Sequence, residues 1–271
     1  MRILDDRLIV VRGAGDIATG TIHRLCGCGF RVLALERDNP AAIRRQVAFS
    51  EAIYDGTCTV EGITCRRADT PEEAIAMLRP GQPVLLADPE AQILKRLHPY
   101  ALVDGILAKK NLGTSRLMAP RTIALGPGFY AGRDVDFVIE TMRGHNLGRI
   151  ITEGEALPNT GVPGNIGGFT KERVIYAPAQ GTVKCVKQIG DTVTAGEVIA
   201  QIMPGDGSVP TPVRTQISGL LRGLIRDGYP VTAGFKMADV DPRESEYRNC
   251  FTISDKARCI AGSVLEAILR P

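Results

Sequence analysis

The sequence has little of three features that would indicate its class directly: long apolar runs, blocks of like charges, and histidine. No apolar run approaches membrane-spanning length, and Asp5 and Asp6 interrupt any apolar signal segment at the start. The net charge of +3 is too small to favour a nucleic-acid partner. We therefore expect a cytoplasmic protein that binds neither a membrane nor nucleic acid.

The spacing typical of metal ligands is also absent. The seven cysteines are spread over the chain, and Cys26-Gly27-Cys28 has no second pair to complete a zinc site. An odd number of cysteines in a cytoplasmic protein favours reduced thiols, most of them buried as small hydrophobic side chains. The sequence predicts no disulfide framework and no metal centre.

The composition that is present is that of a soluble globular protein, with 44% hydrophobic and 23% charged residues. A chain of 271 residues is long enough for two compact domains. We expect an α/β domain in residues 1–165, an all-β domain in 166–245 and a C-terminal helix in 246–271. Ser254 can cap this helix, whose apolar face should pack back on the body of the protein.

A gap-free offset of 38 residues relates two stretches in the second half of the chain. The pairs that keep it include Gly181 with Gly219, Gly190 with Gly228, Val193 with Val231, and Thr194-Ala195-Gly196 with Thr232-Ala233-Gly234. A fixed offset indicates two copies of one β unit, in which the glycines allow tight turns. The pattern resembles the biotinyl/lipoyl barrel-sandwich module, in which two half-motifs interlock about a pseudo-twofold axis.

In carrier proteins of that kind, a lysine in the hairpin between the halves takes the cofactor. Here the joining segment is residues 203–209, and no lysine lies between Lys187 and Lys236. A guanidinium such as that of Arg214 cannot replace the primary amine that is acylated. We expect neither biotin nor lipoate. The module is then either a docking or lid element or a purely structural barrel.

A glycine loop follows the first predicted strand, residues 8–12. Gly13, Ala14, Gly15, Asp16, Ile17 and Ala18 fit the pattern G-x-G-x-x-A, and the next predicted strand, residues 31–35, is followed by Glu36. This order is typical of a dinucleotide site, in which the glycines admit a pyrophosphate at a helix N-terminus and the acid binds a ribose. Asp16 counts against phosphate binding, because its carboxylate lies in the first helical turn.

Three later segments combine polar side chains with glycine, and the first two of them follow predicted strands. Their candidate binding residues are Asp104, Lys109, Lys110, Asn111, Gly126, Gly128 and Arg143. The first four could grip an anion and the glycine pair could form an anion nest, although a solvated basic turn and a plain turn are the alternatives. His145, which lies between glycines among polar neighbours, is the candidate catalytic residue.

Six strings carry a resemblance that extends over nearly the full length. They are residues 13–20, 108–113, 125–129, 140–149, 159–164 and 254–257. On these strings the chain resembles the accessory proteins of selenium-dependent molybdenum hydroxylases, the YqeB-type maturation family. Gly262-Ser263 departs from that pattern, where two glycines are expected. The resemblance implies a Rossmann-like domain similar to that of the xanthine dehydrogenase accessory factors, which handle molybdenum cofactor, and it implies no defined reaction.

The leading hypothesis is an accessory factor that binds a nucleotide-containing or otherwise anionic cofactor: NAD(P), another nucleotide, or molybdenum cofactor. Its partners would be a molybdenum hydroxylase client and other maturation factors, and a homo-oligomer is left open. Lys109, Lys110, Arg143 and His145 would supply positive charge and hydrogen bonds. One alternative is an NAD(P)-dependent oxidoreductase with His145 as its proton-transfer group. The other is a non-catalytic docking protein.

Overall fold

The computed structural model describes residues 7–271, so Asp5 and Asp6 lie outside the described residues. The chain divides into two compact units. Unit 1 comprises residues 7–40, 47–160 and 253–271 of the described chain, and unit 2 comprises residues 41–46 and 161–252.

Unit 1 contains eleven strands and four α-helices among its described residues. The strands are β1 (Leu8–Arg12), β2 (Arg31–Glu36), β3 (Thr57–Val60), β4 (Ile63–Ala68), β5 (Val84–Ala87), β6 (Ala101–Asp104), β7 (Thr122–Leu125), β8 (Tyr130–Ala131), β9 (Phe137–Ile139), β10 (Ile150–Ile151) and β11 (Gly154–Glu155). The helices are α1 (Asp16–Gly27), α2 (Ala52–Asp55), α3 (Pro71–Met77) and α4 (Asp255–Leu269).

Nine of these strands form one sheet in the order β10-β9-β7-β6-β1-β2-β5-β4-β3. All neighbouring pairs are parallel except the two outermost ones, β10 with β9 and β4 with β3. The chain proceeds outward from β1 through β2 on one side and later through β6 on the other. The carboxyl ends of β1 and β6 therefore lie at a point where the strand order reverses, which is where open α/β sheets bind ligands. The predicted mostly parallel α/β sheet is confirmed.

Alternating side chains of the central strands form two apolar layers, one on each face of the sheet. Ile9 and Val11 of β1 pack in the layer that contains α1 and α4. Leu8 and Val10 pack in the opposite layer, which contains α3. The strands are almost completely apolar because both faces are covered, as expected for a parallel sheet.

Helix α4 covers the part of the sheet where the connections after β6 and β7 contain no α-helix. It packs along α1 and against β7 and β9, and its buried side chains include Ile260 and Val264. Ser254 Oγ accepts a hydrogen bond from the Ala257 amide at 3.2 Å, as the sequence predicts for the cap. The predicted C-terminal helix is confirmed, and it supplies an apolar layer that crossover helices provide in other doubly wound sheets.

Unit 2 is built from two four-stranded antiparallel sheets. Its strands are β12 (Val174–Tyr176), β13 (Gly181–Cys185), β14 (Thr192–Val193), β15 (Val198–Met203), β16 (Thr211–Arg214), β17 (Gly219–Leu224), β18 (Pro230–Val231) and β19 (Lys236–Asp241). The sheet orders are β12-β19-β17-β14 and β16-β15-β13-β18.

The 38-residue offset reappears strand by strand, since β17, β18 and β19 lie 38 residues after β13, β14 and β15. The two copies exchange strands: β13 of the first copy pairs with β18 of the second, and β14 pairs with β17. The register repeats as well, because Gly181 lies opposite Val231 and Gly219 lies opposite Val193. The copies therefore interleave instead of folding apart.

The close contacts of the two copies explain their first glycines. A Cβ on Gly181 would lie 2.5 Å from the carbonyl oxygen of Met203, and one on Gly219 would lie 2.3 Å from that of Asp241. Their φ angles are +155° and +148°. Both positions need glycine for the same reason, which is the direct approach of a neighbouring strand.

Residues 41–46, which come between β2 and α2 in the chain, belong to unit 2. The Leu224 amide donates to the Ile43 carbonyl at 2.8 Å, and Arg45 Nε donates to the Leu224 carbonyl at 2.8 Å. A Cβ on Gly223 would lie 3.2 Å from the Ile43 oxygen. No local pattern predicts that this segment joins unit 2, because its contact partners lie about 180 positions later in the chain.

Each of the seven cysteines is a free thiol. Within residues 7–271 no helix has the length and apolar character that crossing a membrane requires.

Candidate functional site

The glycine loop connects β1 to α1 at the point where the strand order reverses. Gly13 has φ of +90°, and its amide donates to the Leu35 carbonyl at 2.7 Å. A Cβ at this position would lie 3.0 Å from the Ile106 nitrogen and 3.1 Å from Gly105. Gly13 is thus required both by its backbone conformation and by the loop that follows β6.

Gly15 is the N-cap residue of α1 and provides no side chain to cap it. Its φ is −65°, and a Cβ there would meet nothing within 4 Å. Ala18 lies about one turn further along α1. It packs against Gly105, where a Cβ would be 3.0 Å from the Ala18 methyl group. The amino end of a twelve-residue helix carries a partial positive charge and unsatisfied N–H groups, so this end can bind an anion.

Glu36, the last residue of β2, contacts the glycine loop directly. Its Oε2 accepts a hydrogen bond from the Ala14 amide at 2.9 Å, and its Oε1 accepts one from the Arg37 amide at 2.9 Å. Burial raises the pKa of the Glu36 carboxyl, although these two amides and the Arg37 charge lower it. Glu36, the predicted ribose acid, therefore lies beside the glycine loop.

Asp104, at the carboxyl end of β6, forms a buried ion pair with Arg12, at the end of β1. The Arg12 Nη1–Asp104 Oδ2 distance is 3.8 Å, and Thr114 Oγ1 lies between them, donating to Asp104 at 2.6 Å and accepting from Arg12 at 2.6 Å. Burial raises the Asp104 pKa, against the lowering effects of Thr114, the Ile106 amide and Arg12. Asp104 is therefore already engaged within the protein.

The loop from residue 105 to 114 is held in place by this pair. Arg12 Nη2 also donates to the carbonyls of Pro89 and Leu112, at 2.8 and 3.2 Å. The Asn111 side chain accepts from the amides of Gly113 and Thr114 at 2.9 and 2.8 Å. Asn111 therefore shapes the turn, while Lys109 and Lys110 are exposed on it.

Gly126 and Gly128 allow the loop after β7 to approach its neighbours. A Cβ on Gly128 would lie 2.6 Å from the Lys110 backbone, and one on Gly126 would lie 2.7 Å from Thr141 Oγ1. Their φ angles are both positive, +77° at Gly126 and +107° at Gly128. The loop after β7 therefore packs closely against the backbone of Lys110, which lies in the loop after β6.

Arg143 and His145 lie in the exposed segment after β9. Arg143 donates to both carboxylate oxygens of Asp255, at 2.9 and 3.0 Å, in a bidentate pair with the first turn of α4. The His145 side chain is exposed. No buried carboxylate among residues 7–271 is seen to orient its ring.

Two residues of this region were not among the sequence-predicted site residues. Arg12 is a charged side chain at the end of an otherwise apolar buried strand, which is the signal that could have identified it. Lys256 is the second residue of α4 and is half-buried. Burial and then the charge of Arg143 lower its pKa, while Asp16, Glu140 and Asp255 raise it by less, and its neighbour Ala257 lies against Gly20 of α1. Only the return of α4 to unit 1 reveals this.

The other predicted residues of the loop, Asp16 and Ile17, lie in the first turn of α1. Ile17 packs in the apolar layer between the helices and the sheet. Among residues 7–271, no group of three or more His, Cys, Asp or Glu side chains is arranged to hold a metal ion.

The fold and the site together define an α/β protein with a mostly parallel sheet and a glycine loop at the point where its strand order reverses. No protein-family model matches the chain. The chain is 49% identical over 263 residues to "Uncharacterized protein YqeB" of Escherichia coli (strain K12), a match that covers 97% of this chain and 47% of that protein. The chain thus spans about half the length of this curated relative.

Two solved structures show weak similarity. An aspartoacylase family protein from Mesorhizobium loti matches with a TM-score of 0.31 at 10% identity, covering 88% of this chain and 86% of that chain. The product-bound Ectoine utilization protein EutE (DoeB) from Ruegeria pomeroyi matches with a TM-score of 0.25 at 19% identity, covering 34% and 28%. These scores are too low to relate the folds or the activities.

Proposed function

We propose that the protein is an accessory factor in the maturation of a selenium-dependent molybdenum hydroxylase, working in the cytoplasm. It binds a nucleotide-containing or otherwise anionic cofactor, or a precursor of one, at the carboxyl edge of the unit 1 sheet. The pathway part of this proposal rests on the six sequence strings described above. The binding part rests on geometry.

The observation that carries the binding part is the amino end of α1. This helix end follows Gly13-Ala14-Gly15 and has no side-chain cap. It lies where the strand order reverses, with β2 on one side of β1 and β6 on the other. These properties support a Rossmann-like assignment for unit 1 and a phosphate position at the helix N-terminus. Glu36, hydrogen-bonded to the Ala14 amide, is close enough to the loop to contact the adjoining ribose.

For unit 2 we propose a barrel-sandwich module of the biotinyl/lipoyl type that has no carrier function. Strand exchange between the two copies supports the assignment. The segment joining β15 to β16, residues 204–210, contains no lysine, so neither biotin nor lipoate can be attached there. The module would serve to dock the client enzyme or another maturation factor.

Isothermal titration of the purified protein with molybdenum cofactor, NAD, NADP and ATP tests the binding part. We expect at least one of the four to bind. Absence of heat for all four would remove the small-molecule part of the proposal. The pathway part is tested by co-purification of a hydroxylase subunit with the tagged protein from cells that express both.

Glu36 also favours a second candidate, an NAD(P)-dependent oxidoreductase, because an acid at this position binds the ribose of such cofactors. That reaction needs a proton-transfer group, for which His145 is the candidate. Turnover of NADH with a carbonyl substrate, abolished in His145→Ala, would support the oxidoreductase. The accessory-factor proposal predicts no such turnover.

A further inference from the structure

Another concave region of unit 1 lies at the edge of the sheet opposite to the glycine loop. It is a cavity of about 470 Å³, lined by α3, by the starts of β1 and β2 and by the segments that lead into β6 and β7. These four strands are parallel, so their amino ends meet at one edge. Leu8 lines the cavity, and Gly13 lies five positions further along the strand direction, a distance of about 16 Å. The cavity is therefore separate from the glycine loop.

The walls of this cavity are mostly apolar. Most of them belong to the amino-edge end of the α3 layer. A small-molecule site has a volume of about 300–1,000 Å³ and is mainly apolar with a few placed polar groups, so the size and the lining suit the apolar part of such a ligand. The apolar lining residues are Leu8, Ile75, Leu78, Leu97, Pro99 and Pro120.

The charged and titratable groups that line the cavity are basic apart from the Tyr100 phenol. Arg7, Arg31 and His98 come from three separate stretches, and no Asp or Glu of the described chain is among the lining residues. Two acids in the first turn of α3, Glu72 and Glu73, accept hydrogen bonds elsewhere. An anion in the cavity is therefore attracted by the arginines, whereas a cation is repelled.

Arg7 is oriented by its aromatic neighbour. Its guanidinium carbon lies over the Tyr100 ring, 4.2 Å from the centroid. This cation–π contact uses the flat face of the guanidinium and leaves the N–H groups in its plane able to donate. Backbone hydrogen bonds fix the surroundings, because the Arg7 carbonyl accepts from the Arg31 amide at 3.2 Å and the Leu8 carbonyl accepts from the Tyr100 amide at 2.8 Å. Arg7 thus presents a planar set of donors beside the apolar walls.

We propose that this cavity binds a small organic carboxylate. The apolar body of the ligand lies among the aliphatic walls, and its carboxylate accepts hydrogen bonds from Arg7. Arg31 and His98 add positive charge at the same place. Apolar residues outnumber cations in the lining, which favours a ligand with one anionic end over a polyphosphate. The site is independent of the cofactor proposed at the glycine loop.

The test is a nuclear magnetic resonance titration of the isotope-labelled full chain with octanoate, phenylacetate and naphthoate. We expect at least one of the three to bind with a Kd of about 1 mM or lower and to shift the amide signals of Leu8, Leu97 and Tyr100. Two control compounds each lack one half of the ligand: acetate has no apolar body, and naphthalenemethanol has no charge. Both should bind about tenfold more weakly or worse.

Variants locate the ligand through two different properties. Arg7→Met removes the charge-assisted contact and should weaken binding about tenfold, and Arg7→Lys should restore only part of it, because an ammonium lacks the planar fork. Ile75→Trp changes no charge but fills the cavity, so it should also weaken binding. Arg66→Met is the matched control, because Arg66 is exposed on β4 and does not line the cavity, and it should bind as the wild type does.

Absence of binding by all three carboxylates at millimolar concentration would overturn the proposal. Binding that is unchanged in folded Arg7→Met and folded Ile75→Trp would also overturn it, because the ligand would then lie elsewhere. Excess pyrophosphate or NAD should leave the carboxylate bound; displacement by either would assign the carboxylate to the glycine loop and contradict the proposal. Failure of the proposed cofactor site, by contrast, leaves these outcomes unchanged. Circular dichroism of each variant establishes that it is folded.

Discussion

Glu36 Oε2 accepts a hydrogen bond from the Ala14 amide at 2.9 Å, which joins the acid at the end of β2 to the glycine loop. The contact has opposite consequences for the two halves of a nucleotide. An ionised Glu36 disfavours a phosphate at the nearby helix N-terminus, while its oxygens can accept hydrogen bonds from ribose hydroxyls. A ligand that has both groups can use the site, whereas a bare anion has to bind beside a carboxylate.

Glu36→Gln should separate these two effects. The amide oxygen of Gln can still accept from Ala14, but the negative charge is gone, so we expect pyrophosphate to bind several-fold more tightly and NAD to bind more weakly. Burial raises the Glu36 pKa, so the wild-type carboxyl gains its proton at a higher pH than an exposed glutamate. Wild-type affinity for pyrophosphate should therefore approach that of Glu36→Gln as the pH falls. Isothermal titration across pH checks both statements; equal affinities at neutral pH would contradict them.

Arg12→Met should be among the most destabilising single changes in unit 1. It leaves Asp104 buried without its cation, and breaking a buried pair in this way costs about 3–5 kcal/mol. The free energy of unfolding from urea titration measures the effect. The double variant Arg12→Met, Asp104→Leu removes both charges and should recover much of the loss. A double variant as unstable as the single one would show that the ion pair is not the cause.

Much of the fold follows from local sequence. The strands predicted at residues 8–12 and 31–35 correspond to β1 and β2, because short apolar runs bounded by glycine are local signals. β3 and β4 form a hairpin that turns at Glu61-Gly62, where Gly62 has φ of +83°. The repeat offset predicted two equivalent β units, and it survives in the strand positions because a gap-free duplication preserves strand lengths and turns.

The parts that could not be predicted depend on contacts between distant residues. The position of Lys256 depends on α4 returning across unit 1 after the whole of unit 2. The engagement of Asp104 depends on Arg12 and Thr114, which are 92 and 10 positions away from it. A single sequence shows which residues are polar, but it does not show which of them satisfy one another.

The contact between α1 and α4 should tolerate no added methyl group at Gly20. A Cβ there would lie 2.8 Å from Ala257 Cβ and 3.1 Å from its backbone, so Gly20→Ala should lower the free energy of unfolding by about 1–3 kcal/mol. Gly262→Ala, within α4 where a Cβ meets nothing within 4 Å, should instead raise it by about 0.5–1 kcal/mol. Thermal or urea unfolding distinguishes the two; a neutral Gly20→Ala would mean that the helices do not approach as described.

The most direct test of anion binding at the glycine loop is titration of Gly15→Asp with pyrophosphate and with the ligand that the wild type binds. Gly15 has φ of −65° and open space around it, and Asp is a favoured N-cap, so this variant should melt no lower than the wild type. Its carboxylate, however, would occupy the helix end and repel phosphate. Gly15→Ser, an uncharged cap, is the control for the charge. We predict that Gly15→Asp is folded and loses binding by at least about tenfold; a folded Gly15→Asp with wild-type affinity would contradict the account.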